Sequence, residues 1–407
     1  MLARMFIHSR NFSGLFWTQI LGSFVDNYYK SFLMVWIVYH LPHENQYDPK
    51  LLITISSALF ILPFFIFSSI AGEIAAKFEK TKLIQFTKWW EVALVLLAIL
   101  AFKFESLPWM MVVLFLLGTQ STFFGPMKYS ILPQLIEKEN LLKANGWVEM
   151  GTFLAILLGT LLGSLTFTVD FHFAALTTMM LTSTLGGLMT SYTIPRTSPE
   201  NPEQIIHPNF IFQTFRQMKE LGKDRRMFWM IQMISWFWFL GIIILTMIPI
   251  IAKDLLHSGE ETVSLLLACM SLMIGLGSIT CHSVSKKLPP LRISSFSAFF
   301  VSLFLLMLSI SHTRSTFLLN LSLFSFFCGL YVVPLYTFLQ EERSLFLKSH
   351  LIAMLNIFNS LWMVMASVFL TIILQKTSLS AVFLMLGFAC LAQCLLFHRL
   401  TRHNLRK

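Results

Sequence analysis

Six ionisable residues stand in stretches that are otherwise long and apolar: Asp26, Lys30, Lys88, Glu91, Lys128 and Glu149. A charge at hydrocarbon depth is costly, and where it occurs it is usually functional or paired. Asp26 and Lys30 lie one helical turn apart, on one face of the run from Phe12 to Tyr39. A helix entering near Phe12 rises about 1.5 Å per residue, which puts Asp26 about 21 Å deep in a core roughly 30 Å thick. The pair either lines a cavity or forms a self-neutralising ion pair that tolerates burial. Lys88, Glu91, Lys128 and Glu149 form a second set. They read either as a gate that breaks and reforms or as a static network, since pairing meets the burial cost in both cases.

Other chemistry is sparse. His43 and Asp48 have the H-x4-D spacing in which a histidine deprotonates an alcohol and an aspartate orients it. The pattern is short, sits in a small loop and has no accompanying domain, so the chain reads as not an enzyme. No P-loop, HExxH or CxxC motif is present, so neither nucleotide-driven transport nor metal catalysis has support. Cys269, Cys281, Cys328, Cys390 and Cys394 lie in apolar runs without metal-ligand spacing and read as packing residues. No cofactor is expected.

The elements that must position these residues follow from composition. The chain has 407 residues, 56% hydrophobic and only 12% charged, against roughly 25% charged in a soluble domain. Twelve apolar spans are predicted, at 12–39, 51–75, 83–102, 107–129, 145–168, 173–193, 229–252, 262–284, 292–312, 316–339, 350–374 and 377–398. The first has no signal-peptide pattern and reads as a retained span. The Pro-, Glu- and Asn-rich stretch from Thr197 to Pro208 is the linker, and Asn209–Arg226 is a basic amphipathic helix expected in the membrane interface. The expected fold class is an all-α membrane protein with two six-helix bundles, at 1–195 and 229–407, joined by a linker at 196–228. The net charge of +10 is no sign of nucleic-acid binding, because the basic residues fall in short loops between spans. All 30 Lys and Arg residues except Lys30, Lys50, Lys103, Lys253, Arg314 and Lys376 fall on the side of the termini. That asymmetry places both termini in the cytoplasm.

The words QSTFFGPMKYSILPQ (Gln120–Gln134), ANGWVEMGTFLAILLGT (Ala144–Thr160), ISWFWFLG (Ile234–Gly241), AKDLL (Ala252–Leu256) and YVVPLYTFLQ (Tyr331–Gln340) are long and spread over most of the chain. In them the sequence resembles the major facilitator branch that includes bacterial lysophospholipid transporters. It is similar above all to the membrane domain fused in some bacteria to acyltransferase and acyl-carrier-protein synthetase modules. The resemblance implies a secondary transporter or flippase of the inner membrane. Its substrate would be a lysophospholipid such as lysophosphatidylethanolamine, moved for re-acylation by a cytoplasmic acyltransferase or acyl-carrier-protein synthetase. It implies a substrate role for Asp26 and Asn27, which match the branch's first-span Asp-Asn. Lys30, Tyr336 and Gln340 are further candidate lining residues, with plain packing the alternative for the last two. The loop AGEIAAKFEKTK (Ala71–Lys82) resembles the superfamily's signature loop, with Gly72, Lys77 and Lys80 matching and Ala76 where the family usually has aspartate. Locking of that face by other contacts is therefore expected. The seventh span has no charge, which departs from branch members with a basic residue there. Two rival readings are a proton-coupled exporter of drugs or small metabolites, and a membrane anchor for an acyltransferase partner.

The charge asymmetry makes a direct prediction. A reporter fused after Lys407 is expected to be active only in its cytoplasmic form, and activity of a periplasm-only reporter there would refute the topology.

Overall fold

The computed structural model describes residues 10–39, 48–167, 172–341 and 346–404. His43 of the H-x4-D spacing lies outside the described residues, as do Arg4, Arg343, Arg406 and Lys407. The described residues hold twelve helices of 20 residues or more. They are α1 (Arg10–Tyr39), α2 (Pro49–Lys77), α3 (Lys80–Lys103), α4 (Leu107–Ser130), α5 (Lys138–Thr166) and α6 (His172–Ser191). The rest are α7 (Arg225–Ile250), α8 (Glu260–Ser285), α9 (Pro290–Ser309), α10 (Arg314–Glu341), α11 (Lys348–Ile373) and α12 (Leu379–Asn404). Eleven of them are long and apolar enough to cross a membrane. The other, α1, is 30 residues long and holds the polar positions Asp26, Asn27 and Lys30 that lower its hydropathy.

Each predicted span meets one of these helices, but the helix ends differ. Helix α5 begins at Lys138, seven residues before the predicted span, because its polar first turns continue the helix beyond the apolar stretch. Helix α7 runs into a π-helical turn at Ile251–Leu255, just after Pro249, whose ring removes a backbone donor.

Contacts divide the chain into two compact units. The first comprises Met1–Glu137, Ala155–Ile231 and Glu342–Ser360. Within it α1 packs on α6, α2 on α4, and α3 on both α4 and α6. Its core gathers Val25, Tyr28, Phe32 and Trp36 of α1 with Val95 and Phe102 of α3, Met110 and Leu117 of α4, and Leu176 of α6. Tyr28 and Tyr29 are wholly buried; their hydroxyls donate to Thr166 Oγ1 (2.8 Å) and the Met110 carbonyl (2.7 Å). Gly159 and Gly163, one turn apart on α5, bring α1 into backbone contact. A Cβ on them would lie 2.7 Å from the Phe24 carbonyl and 2.5 Å from that of Tyr28.

The interface helix Phe210–Leu221 belongs to this unit and packs on α2. Its polar residues Gln213, Thr214 and Gln217 are buried, while Ile211, Phe212 and Phe215 are exposed. Phe210 and Phe215 also reach Phe67 and Phe65 of α2, with ring centroids 5.3 and 6.4 Å apart. The helix thus turns polar side chains inward and apolar ones outward, as suits a bilayer surface.

The second unit comprises Lys138–Leu154, Gln232–Glu341 and Leu361–Lys407. Here α10 packs on α8 and α9, and α9 on α12. The α8–α10 crossing is backbone on backbone. A Cβ on Gly277 would stand 2.0 Å from the Phe326 carbonyl oxygen, and one on Gly329 2.1 Å from that of Ile274. Gly241 on α7 has nothing within 4 Å of such a Cβ.

Two glycine substitutions therefore have opposite expected outcomes. Gly329→Val forces α8 and α10 apart and should lower the membrane abundance of folded protein severalfold. Gly241→Ala meets no neighbour, gains helix propensity of about 1 kcal/mol, and should leave abundance at the parent level.

Candidate functional site

A row of buried polar side chains crosses the first unit from α1 through α4 to α3. Gln19, Gly22 and Asp26 share one face of α1, at i, i+3 and i+7. Asp26 is buried, and its Oδ2 accepts a hydrogen bond from Ser121 Oγ of α4, while its Oδ1 is buried without a partner. Next to Ser121, Gln120 donates through Nε2 to Glu91 Oε2 and to the Thr87 carbonyl, each at 3.2 Å. Glu91 Oε2 also receives Lys88 Nζ at 2.6 Å, with both side chains 1% exposed, and Glu91 Oε1 is again buried without a partner. Lys88 lies over the Phe124 ring at 5.2 Å. Gly22 makes room for it, since a Cβ there would be 2.3 Å from Lys88 Nζ.

The six charges singled out in the sequence fall in different places. Lys88 and Glu91 are a direct pair. Asp26 and Lys30 form no ion pair: Lys30 lies over the Phe60 ring at 5.6 Å, while Asp26 turns to Ser121. Asn27 donates to the Ser23 carbonyl of its own helix at 2.8 Å. Lys128 reaches Gln19 Oε1 at 3.5 Å and lies 4.5 Å over the Tyr129 ring. Glu149 is fully buried in the part of α5 that belongs to the second unit.

In the second unit Tyr336 and Gln340 are both 2% exposed. Tyr336 accepts from Trp238 Nε1 at 3.2 Å, and Trp238 stacks on Phe153 of α5. Gln340 and Asn145 exchange amide hydrogen bonds of 2.7 and 3.1 Å, and Asn145 also reaches Thr337 Oγ1 at 3.1 Å. Gly146, beside Asn145, brings α5 against α8, since a Cβ there would be 2.5 Å from the Ser278 carbonyl oxygen.

Most of the signature stretch is helical: Gly72, Glu73 and Lys77 lie in the last turns of α2, and Lys80 begins α3. A Cβ on Gly72 would lie 2.6 Å from that of Ala353, so the end of α2 packs directly on α11. Glu73, fully buried, accepts from the His207 backbone N–H and from Gln213 Nε2, and pairs with His207 Nδ1, at 2.8 to 3.0 Å. Lys77 is half-buried against Phe78, and Lys80, wholly buried, pairs with Glu200 of the linker at 3.3 Å.

A family profile for the major facilitator superfamily matches residues 19–367. The chain belongs to that superfamily. It is similar to lysophospholipid transporter LplT of Citrobacter koseri, with 24% identity over 308 residues, 74% of this chain and 73% of that protein. It is similar also to LplT of Cronobacter sakazakii, with 22% identity over 345 residues, 83% of this chain and 81% of that one. In fold it matches the Escherichia coli fucose:proton symporter FucP, with TM-score 0.74, 11% identity, and 96% and 98% of the two chains covered. The human organic anion transporter MFSD10 matches with TM-score 0.73, 12% identity, and 95% and 99% covered.

The protein is thus an all-α, multi-pass membrane transporter with the major facilitator fold. Several residues of this facilitator's polar row and signature-loop contacts escape a reading based on charge. Gln120 and Ser121 are neutral, and their only signal is polarity within an apolar helix inside one of the family words. Asn145 carries the same faint signal, and Glu200 is one acid in a polar linker.

The Lys88–Glu91 pair yields a test. Glu91→Gln leaves a buried ammonium without its counter-ion, a loss of roughly 3–5 kcal/mol where such pairs are broken, and should sharply reduce folded transporter in the membrane. The double change Lys88→Met with Glu91→Gln should recover abundance. A double variant no better than the single would show that the two charges do not answer each other.

Proposed function

We propose that this facilitator moves lysophospholipids such as lysophosphatidylethanolamine across the inner membrane by alternating access, for re-acylation by a cytoplasmic acyltransferase or acyl-carrier-protein synthetase. The sequence halves 1–195 and 229–407 are the moving bodies, and both termini are cytoplasmic. The observation that carries the reading is the unsatisfied Asp26 Oδ1, a buried acceptor at mid-span depth in a chain similar to LplT transporters. A zwitterionic head group needs an anion for its ammonium and a cation for its phosphate. Asp26 supplies the first, and Lys30, whose ammonium lies over the Phe60 ring, supplies the second. Asn27, Tyr336 and Gln340 complete the proposed lining. For Gln340 to take that role, its amide pair with Asn145 has to open.

Lys88, Glu91, Lys128 and Glu149 are proposed as the charges that hold one state of the carrier. Gly72, Lys77 and Lys80 are proposed to hold the loop that closes it. A second reading draws on the same orphaned oxygens, Asp26 Oδ1 and Glu91 Oε1: a proton on either satisfies it, as in a proton-coupled exporter of small molecules.

Asp26→Asn keeps the shape and removes the anion. It is expected to abolish lysophosphatidylethanolamine flipping in proteoliposomes while membrane abundance stays near the parent level. Full flipping by this variant at normal abundance would remove Asp26 from the site. Flipping by the parent that collapses without a proton gradient would favour the second reading.

A further inference from the structure

Lys80 begins α3 with its ammonium wholly buried, and the last turn of α2 before it has alanine at position 76. A buried ammonium left without a counter-ion is strongly destabilising. The partner comes from the linker, 120 residues along the chain: Glu200 Oε1 lies 3.3 Å from Lys80 Nζ. Its other oxygen, Oε2, accepts the backbone N–H of Ser349 at 3.2 Å. Ser349 is the second residue of α11, so the carboxylate sits at the end of that helix where free N–H groups and the helix dipole favour an anion. One side chain therefore grips a first-half helix and a second-half helix at once.

The surroundings fix it in this position. Asn201 N–H, the next residue's, donates to the Ala76 carbonyl at 2.9 Å, and Thr81 Oγ1 donates to the Pro195 carbonyl at 2.5 Å. Ser349 Oγ lies 3.1 Å from Ser130 Oγ at the end of α4. The start of α11 is also packed tightly against first-half helices at Gly72 and Gly125, where an added Cβ would meet Ala353 and the Asn356 side chain at 2.6 and 2.7 Å.

We propose that Glu200 is a positioning residue of the transport cycle: from the linker, next to the Asn201 contact with Ala76 of α2, it holds the start of α11 against α2, α3 and α4. The proposal rests on the alternating-access reading for its role in transport. Opening this end of the carrier breaks both of Glu200's contacts together, so its charge sets how often the end opens. The linker is then a working part of the gate.

The test uses the full chain in native membranes carrying Met354→Cys, a position in α11 that is 1% exposed. Alkylation of the introduced thiol by a maleimide is followed by peptide mass spectrometry, beside membrane abundance. Glu200→Gln is expected to speed alkylation by about tenfold or more, since a desolvated charge pair is lost. Glu200→Asp should stay within a few-fold of the parent. Adding Ala76→Asp to Glu200→Gln should bring the rate back toward the parent, which a role confined to stiffening the linker would not produce. If Glu200→Gln accumulates poorly, Lys80→Met with Glu200→Gln removes both charges and should accumulate and alkylate fast. Parent-like alkylation in either neutralised variant, or no restoration by Ala76→Asp at normal abundance, overturns the proposal. The assay needs no substrate. Fast alkylation on neutralisation with no lysolipid flipping by the parent would uphold the latch and reject the substrate.

Discussion

An ionised side chain shut inside so apolar a bundle must find its answering group within the protein. Much of the first unit is arranged around that constraint. Lys88 takes Glu91, and α1 gives up a side chain at Gly22 to let the ammonium fit. Lys80 draws in the linker through Glu200, and Glu73 draws in His207 and the interface helix. Lys88 and Glu91 are neighbours on α3, but Glu200, His207 and Gln213 come from segments distant in sequence, so Lys80 and Glu73 also dictate which segments lie side by side. Asp26 and Glu91 each retain one oxygen that nothing answers.

The spans were legible because a bilayer imposes a length, and runs of about 20 apolar residues stand out from the loops. Helix ends were less so: hydropathy marks where hydrocarbon stops, whereas α5 keeps its backbone hydrogen bonds through the polar turns from Lys138. The GxxxG spacing of Gly159 and Gly163 signals close approach on a single helix. Gly277 and Gly329 meet from different helices, and no local pattern pairs them. In the site, charges were easy to find because each is conspicuous in an apolar run. Their partners were not, since Lys30 is spaced for Asp26 yet lies over Phe60, while Asp26 uses the neutral Ser121. Gln340, read as possible lining, is committed to Asn145, a pairing across 195 residues of chain.

Two helices have parts in each compact unit. The first part of α5 packs among second-half helices, and the first part of α11 among first-half helices. Both contacts are made through glycines, at Gly146 for α5 and at Gly72 and Gly125 for α11. Surfaces that meet through glycine have few side-chain rotamers to reorder when they part and rejoin, which fits the alternating access proposed above.

The Asn145–Gln340 pair has a property the ionic contacts lack. Both amides are neutral, and each donates to the other. Moving a unit charge through the membrane potential involves work of about 2.3 kcal/mol per 100 mV, whereas parting two amides displaces no net charge. This contact is electrically silent: its strength is the same in an energised cell and a de-energised one, and the voltage can neither pry it open nor hold it shut.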